Sequence, residues 1–178
     1  MKIIYFLLLA WIFLISCNED NSSVEVNGVN TQFKLYDSNS VEKTTFRSGD
    51  DFEMKFSLVN LSGRDLSYYY TGIPVFFEIH QNDSIIATSV DGLTFAQVIL
   101  GGEVKNGAIF SDNWIAPNSS ARDPKLILPA GNYKAFVKHY GFFDSVKLKE
   151  SKPVEFVITK WFSNLPEPQA ACEFAYGL

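Results

Sequence analysis

The sequence predicts an all-β fold of antiparallel strands, and three observations carry that prediction. From Phe33 onward apolar residues recur with a period of two rather than 3.6, the spacing that sends alternate side chains to opposite faces of a strand. Turn-forming clusters separate the apolar runs: Ser48-Gly49-Asp50, Ser62-Gly63, Gln81-Asn82-Asp83, Asp91-Gly92, Gly101-Gly102 and Pro129-Ala130-Gly131. Aromatic residues make up 15% of the chain, with 16 Phe and 8 Tyr, and such rings favour pleated, half-buried surfaces over helices.

The chain has 178 residues, a length that suits one domain with tails. Lys2 precedes an unbroken apolar run over residues 3–15. A membrane-spanning helix needs roughly 20 apolar residues, so this run has instead the length of a signal-peptide core. It ends in Leu14-Ile15-Ser16-Cys17 and turns polar at once with Asn18-Glu19-Asp20. Those four residues resemble a bacterial lipobox. The resemblance implies lipid transfer to the Cys17 sulfur, cleavage before Cys17 and acylation of the new amine, so that residues 1–16 are a lipoprotein signal peptide. More than one acyl chain is what makes such an anchor stable. An uncleaved anchor, or a buried cysteine in a core helix, is the alternative. Residues 17–30 then form a lipid-anchored tether, and the expected location is the cell outer membrane. Glu19 and Asp20 resemble a surface-export signal of some Gram-negative bacteria, so the domain faces either the periplasm or the exterior.

The domain itself is expected over residues 31–160. Phe52, Met54, Phe56 and Leu58 alternate with Glu53, Lys55 and Ser57, as a strand with one wet face would. Val154, Phe156 and Ile158 repeat the pattern, and so do Tyr133, Ala135 and Val137. Further strands are expected at 31–36, 66–71, 75–80, 85–89, 95–100 and 108–115. Val75 to Ile79, the Gln81-Asn82-Asp83 turn and Ile85-Ile86 read as one hairpin. Residues 113–129 carry Pro117, Asn118, Ser119, Ser120 and Pro124 and read as a connection crossing between sheets, as Greek-key sandwiches need. Residues 161–178 show no alternation and form a C-terminal tail.

Three places carry a family resemblance. They are Phe46-Arg47-Ser48-Gly49-Asp50 running into Phe56-Ser57-Leu58-Val59-Asn60; Leu66-Ser67-Tyr68 with Thr71-Gly72 and Phe76-Phe77-Glu78-Ile79; and Trp114 with Leu128-Pro129-Ala130-Gly131-Asn132-Tyr133. In this order they resemble the BsuPI-type intracellular proteinase inhibitor family. The resemblance covers about residues 31–159 and implies an immunoglobulin-like antiparallel β-sandwich, with proteinase inhibition as an alternative activity and a proteinase as its partner. Ile86-Ala87 stands where the family has Val-Trp, Phe76-Phe77-Glu78 replaces its Tyr-Asp-Phe, and residues 90–107 read as an insertion. No motif marks a reactive loop. Tyr133, entering a strand after a turn, is expected to bond its hydroxyl to backbone as a tyrosine corner does, and Trp114 is expected to anchor the core.

Composition and motifs narrow the chemistry. The net charge of -5 does not suit a phosphate backbone, so nucleic acid is not an expected partner, and no basic cluster addresses anionic lipid. His80 and His139 are the two histidines, and neither stands in a zinc-ligand spacing. Ser84 and Ser89 lack a nucleophile elbow. Asp50, Asp51 and Glu53 read as turn and wet-face residues rather than a carboxylate pair. Gly101-Gly102 lacks the lysine of a phosphate loop. No catalytic, cofactor-binding or metal residue is therefore assigned, and the expected function is a non-catalytic binding or adhesion domain for a protein or glycan partner.

Its candidate binding loops are 70–74, with Tyr70 and Ile73, and 140–144, with Tyr140, Phe142 and Phe143, because exposed aromatics favour interfaces. Phe142 and Phe143 read alternatively as a core plug. In Tyr68-Tyr69-Tyr70 the rings fall on both faces of one strand, with either Tyr69 or its neighbours outward. Asp83-Ser84-Ile85 and Asp144-Ser145-Val146 resemble an O-glycosylation pattern of some Gram-negative bacteria, which makes Ser84 and Ser145 candidate acceptors. Cys172, left without a partner if Cys17 is lipidated, is an intermolecular bridge, a free thiol or an inert tail residue.

Overall fold

The computed structural model describes residues 23–95, 98–118, 123–139, 142–143 and 151–160, and for 23–26 and 142–143 it describes the backbone. Twelve strands and no helix make up the described residues. The first sheet holds β1 (Ser23–Val26), β2 (Val29–Tyr36), β4 (Phe52–Asn60) and β9 (Ile109–Ala116), in the order β1-β2-β4-β9. The second holds β3 (Thr45–Arg47), β12 (Val154–Thr159), β10 (Gly131–His139), β6 (Val75–Gln81) and β7 (Ser84–Thr88), in the order β3-β12-β10-β6-β7. A third and smaller sheet has the order β11-β5-β8, from β11 (Phe142–Phe143), β5 (Leu66–Thr71) and β8 (Ile99–Val104). All pairs are antiparallel except β3 with β12.

Alternation explains the core. Phe33 stands opposite Phe56, and Leu35 opposite Met54, so these four side chains share one face and are buried. Val75, Phe77 and Ile79 of β6 and Tyr133, Ala135 and Val137 of β10 do the same in the second sheet. Rings then meet across the two sheets, with centroids 6.1 Å apart for Phe33 and Phe77 and 5.2 Å apart for Phe52 and Phe156. Phe46 stacks on Phe52 at 4.4 Å.

Four structural expectations are met. The Tyr133 hydroxyl donates to the carbonyl of Pro129 at 2.7 Å. Asn82 and Asp83 have φ of 49° and 62°, the left-handed pair that a two-residue hairpin turn requires, and they join β6 to β7. Trp114 is buried, and its indole nitrogen donates to the Asn118 carbonyl at 3.0 Å. The connection from β9 to β10 crosses from the first sheet to the second, as the proline-rich stretch implies.

Other expectations need correction. The first sheet starts at Ser23, within the segment read as tether, because Asn27 (φ 50°) and Gly28 (φ 75°) make a tight turn that folds β1 onto β2. A strand was expected at 95–100, but β8 runs from Ile99 to Val104. Gly101-Gly102 forms no turn. Both glycines lie inside β8, opposite Tyr69 and Tyr68. A Cβ on Gly102 would sit 2.6 Å from the Tyr68 hydroxyl, and one on Gly101 2.9 Å from the Tyr69 ring. The pair is there to seat tyrosines, a use of glycine that mimics a loop signal. β3 is three residues long and pairs in parallel with β12, which no alternating pattern of that length can announce.

Candidate binding site

Two features of the described surface concern the candidate residues. One is a patch on the third sheet. Tyr69 is 60% exposed and Ile99 78% exposed, and the register Tyr69–Gly101 and Thr71–Ile99 puts them on one face. Phe95, also exposed, lies against Gly72 of the 70–74 loop, its Cβ 3.5 Å from where a Gly72 Cβ would stand. Tyr69 is therefore the outward ring of the tyrosine triplet. Tyr68 and Tyr70 stack on the opposite face with centroids 5.9 Å apart, and Tyr68 meets Phe110 edge-on at 5.6 Å. Tyr70 is thus half-buried rather than presented at a loop tip.

Phe142 and Phe143 pair with Tyr69 and Tyr68. His139, at the end of β10, pairs with Val75, at the start of β6. The described parts of the two expected loops therefore lie against neighbouring strands: Phe142–Phe143 along β5, and His139, just before the second loop, opposite Val75, just after the first. Tyr140, Ser145, Cys17 and Cys172 lie outside the described residues, as do the signal peptide and the tail. Ser84 is exposed and directly follows the Asn82-Asp83 turn.

The second feature is a cleft of about 580 Å³ between the edge of the first sheet and the start of β6. Val75, Phe77, Ile73, Trp114 and Ile115 supply its apolar lining, and Asp51, Asp112 and Lys125 its charges. Asp112 is positioned by register. It stands opposite Phe56, an inward residue, and so points inward between Phe110 and Trp114. Burial raises its carboxyl above the ordinary value, an effect partly offset by the Asn113 N–H that donates to it at 2.8 Å. Among the described residues no basic side chain is bonded to Asp112. Asn118 holds the far wall: its side-chain Oδ1 accepts from Leu126 N–H at 2.6 Å and its side-chain Nδ2 donates to the Leu126 carbonyl at 3.2 Å. Sequence reading singled out Ile73 and Trp114 but missed Asp112. An aspartate at an inward position of the strand expected at 108–115 was the available signal.

The remaining polar groups are engaged structurally. His80 shares a 2.8 Å hydrogen bond with Glu78 and packs on Phe136. Asp50 accepts from the Arg47 N–H at 3.0 Å, closing a turn. Among the described residues no three His, Cys, Asp or Glu side chains gather as a metal site, and no helix is long and apolar enough to cross a membrane.

No family model matches the sequence, and no curated protein matches it. Among solved structures the chain is similar to a Pseudomonas fluorescens alkylpurine DNA glycosylase AlkC bound to DNA containing an abasic site analog. The identity is 12% and the TM-score 0.38, over 74% of this chain and 30% of that one. It is also similar to a β-glucosidase from Listeria innocua in complex with gluconolactone, at 11% identity and a TM-score of 0.33, over 72% of this chain and 16% of that one. The chain thus spans less than a third of either protein, and likenesses at this level bear on neither fold family nor function.

Proposed function

We propose that this chain is a lipid-anchored cell-envelope protein whose immunoglobulin-like β-sandwich is a non-catalytic binding or adhesion module. The strand order supports the sandwich. β2, β4 and β9 stand as strands A, B and E of such a fold, and β7, β6, β10 and β12 as C′, C, F and G. The hydroxyl of Tyr133, at the start of the F-like strand, bonds back to Pro129, as a tyrosine corner does. The anchor rests on Leu14-Ile15-Ser16-Cys17.

The observation that carries the binding reading is the exposed pair Tyr69 and Ile99 on one face of the third sheet, with the exposed Phe95 against Gly72 of the adjoining 70–74 loop. Soluble proteins rarely leave neighbouring large apolar side chains in water without a partner to cover them. The partner is a protein or glycan of the envelope. Affinity capture with the anchored protein, with and without alanine at Tyr69 and Phe95, tests this. A specific partner lost in the double variant supports the reading, and a partner retained unchanged removes the patch from it. Serine at Cys17 should abolish lipid labelling and processing; labelling that persists overturns the anchor. Sub-micromolar inhibition of any proteinase class would replace the adhesion reading by the inhibitor alternative.

A further inference from the structure

The open edge of β9 and the cleft behind it form one feature. β9 has β4 on one side and, among the described residues, no strand on the other. Such an edge presents backbone donors and acceptors that can pair with an added strand. Its outward face carries Ile109 at 67% and Ile115 at 52% exposure, β-branched residues suited to a cross-strand neighbour. Its inward face carries Asp112, which looks into the cleft lined by Ile73, Val75, Phe77 and Trp114. Residues directly opposite one another in a strand pair point to the same side. A strand added along β9 would therefore send the residue facing Asp112 into that cleft.

We infer that β9 takes an extended segment of a partner polypeptide whose lysine or arginine enters the cleft and pairs with Asp112. This rests on the binding-module reading and names a second surface for it, distinct from the Tyr69 patch. Charge complementarity selects the occupant: two carboxylates, Asp51 and Asp112, line the cleft against one lysine, Lys125. A half-buried carboxylate without a basic partner is costly, and a cation within the cleft relieves that cost. The alkyl stem of a lysine or arginine suits the apolar walls, with its charged head at the carboxylate. A volume of about 580 Å³ accommodates such a side chain with room for its neighbours. A second copy of the chain fits less well. Two β9 edges in antiparallel register bring two inward aspartates together, and like charges across a strand pair repel.

The test uses the full chain and fluorescent heptapeptides of sequence Thr-Val-Thr-X-Thr-Val-Thr, with X as lysine, norleucine or glutamate. Anisotropy at pH 7 should rank lysine at least tenfold tighter than norleucine, with glutamate weakest. Asp112→Asn should erase the lysine preference while the circular dichroism stays unchanged. N-methylation of alternate amides on one edge of the lysine peptide should abolish binding, since strand addition needs those donors. Equal affinity for lysine and norleucine overturns the inference, and so does a lysine preference that survives in Asp112→Asn. Competition by butylammonium as effective as the peptide would make the site one for small amines and overturn the strand. An Asp112→Asn variant that self-associates, in a protein that binds no basic peptide, would make Asp112 a guard against edge pairing, also against the inference. If the peptides fail while an envelope partner is still captured, the cleft falls and the binding-module reading stands.

Discussion

The interior between the first two sheets and the side of the molecule that carries the third sheet are built on opposite rules. In the interior, aromatic rings from strands far apart in sequence meet directly, as Phe33 meets Phe77 and Phe52 meets Phe156. Each residue there is one beat of a simple alternation. On the side, β5 and β8 pair a tyrosine triplet with a glycine pair, so that ring meets backbone. One ring of the triplet, Tyr69, remains outside. On the proposed reading the difference divides stability from recognition. The interior concentrates hydrophobic burial, whereas the third sheet leaves the apolar surface of Tyr69 and Ile99 outside.

Substitutions can break that division if it is wrong. Phe33→Ala should have the largest effect, destabilising the protein by about 3–5 kcal/mol through lost burial and a residual cavity. Tyr69→Ala, on the exposed face, should change stability by no more than about 0.5 kcal/mol. Denaturant midpoints measure both, and comparable losses would erase the distinction. Asn60→Ala comes next. This buried side chain donates to the carbonyls of Arg64 and Val104 at 2.7 and 2.9 Å and accepts from the Ser62 N–H and hydroxyl. Its loss strands groups that cost about 1–3 kcal/mol each when buried unpaired, and should loosen β5 and β8 from the first sheet, read as faster amide exchange there. Gly102→Ala follows, at about 1–3 kcal/mol. The added methyl displaces the Tyr68 ring from its stacks on Tyr70 and Phe110, and Tyr68→Phe in the same chain should recover part of the loss.

The same contrast decides what the sequence made legible. Strands β4, β5, β6, β10 and β12 stand within a residue or two of where alternation and turn residues put them, because one face is buried and register is then tightly specified. The Tyr133 corner and the β6–β7 turn were legible for the same local reason. β1 follows from Asn27-Gly28, a hairpin pair that is not among the turn signals read from the sequence, in a segment expected to be tether. β3 has only Phe46 buried, and one inward residue makes no period. β8 was displaced because Gly101-Gly102 carries the composition of a turn while serving as a floor for rings. Of the cleft's lining, the sequence names Ile73 as a loop residue and does not single out Asp112. A charged residue at an inward strand position contradicts the alternation rule, and such contradictions concentrate where a structure does something besides pack.

The smallest expected effect is the one that isolates Asp112. Burial raises its carboxyl above the ordinary value of 3.8 in the folded protein, so the folded state holds this proton more readily than the unfolded state does. The ionised form therefore opposes folding at neutral pH, and the opposition fades as pH falls through the folded value and then 3.8, below which both states are protonated. Asp37 and Asp65 act with the reverse sign. Hydrogen bonds, led by the Val41 N–H at Asp37 and by Lys105 at Asp65, lower both carboxyls, so their support is present at neutral pH and is lost as pH drops below the ordinary value. Those contributions cancel when one variant is compared with its parent. Asp112→Asn keeps an oxygen to accept the Asn113 N–H and removes the charge. It should melt slightly higher than the parent at pH 7, with the gap closing as pH falls towards 3.8. A parent more stable than the variant at pH 7 would mean that Asp112 already has a cationic partner in the folded chain, and the cleft would then have no charge left to offer a ligand.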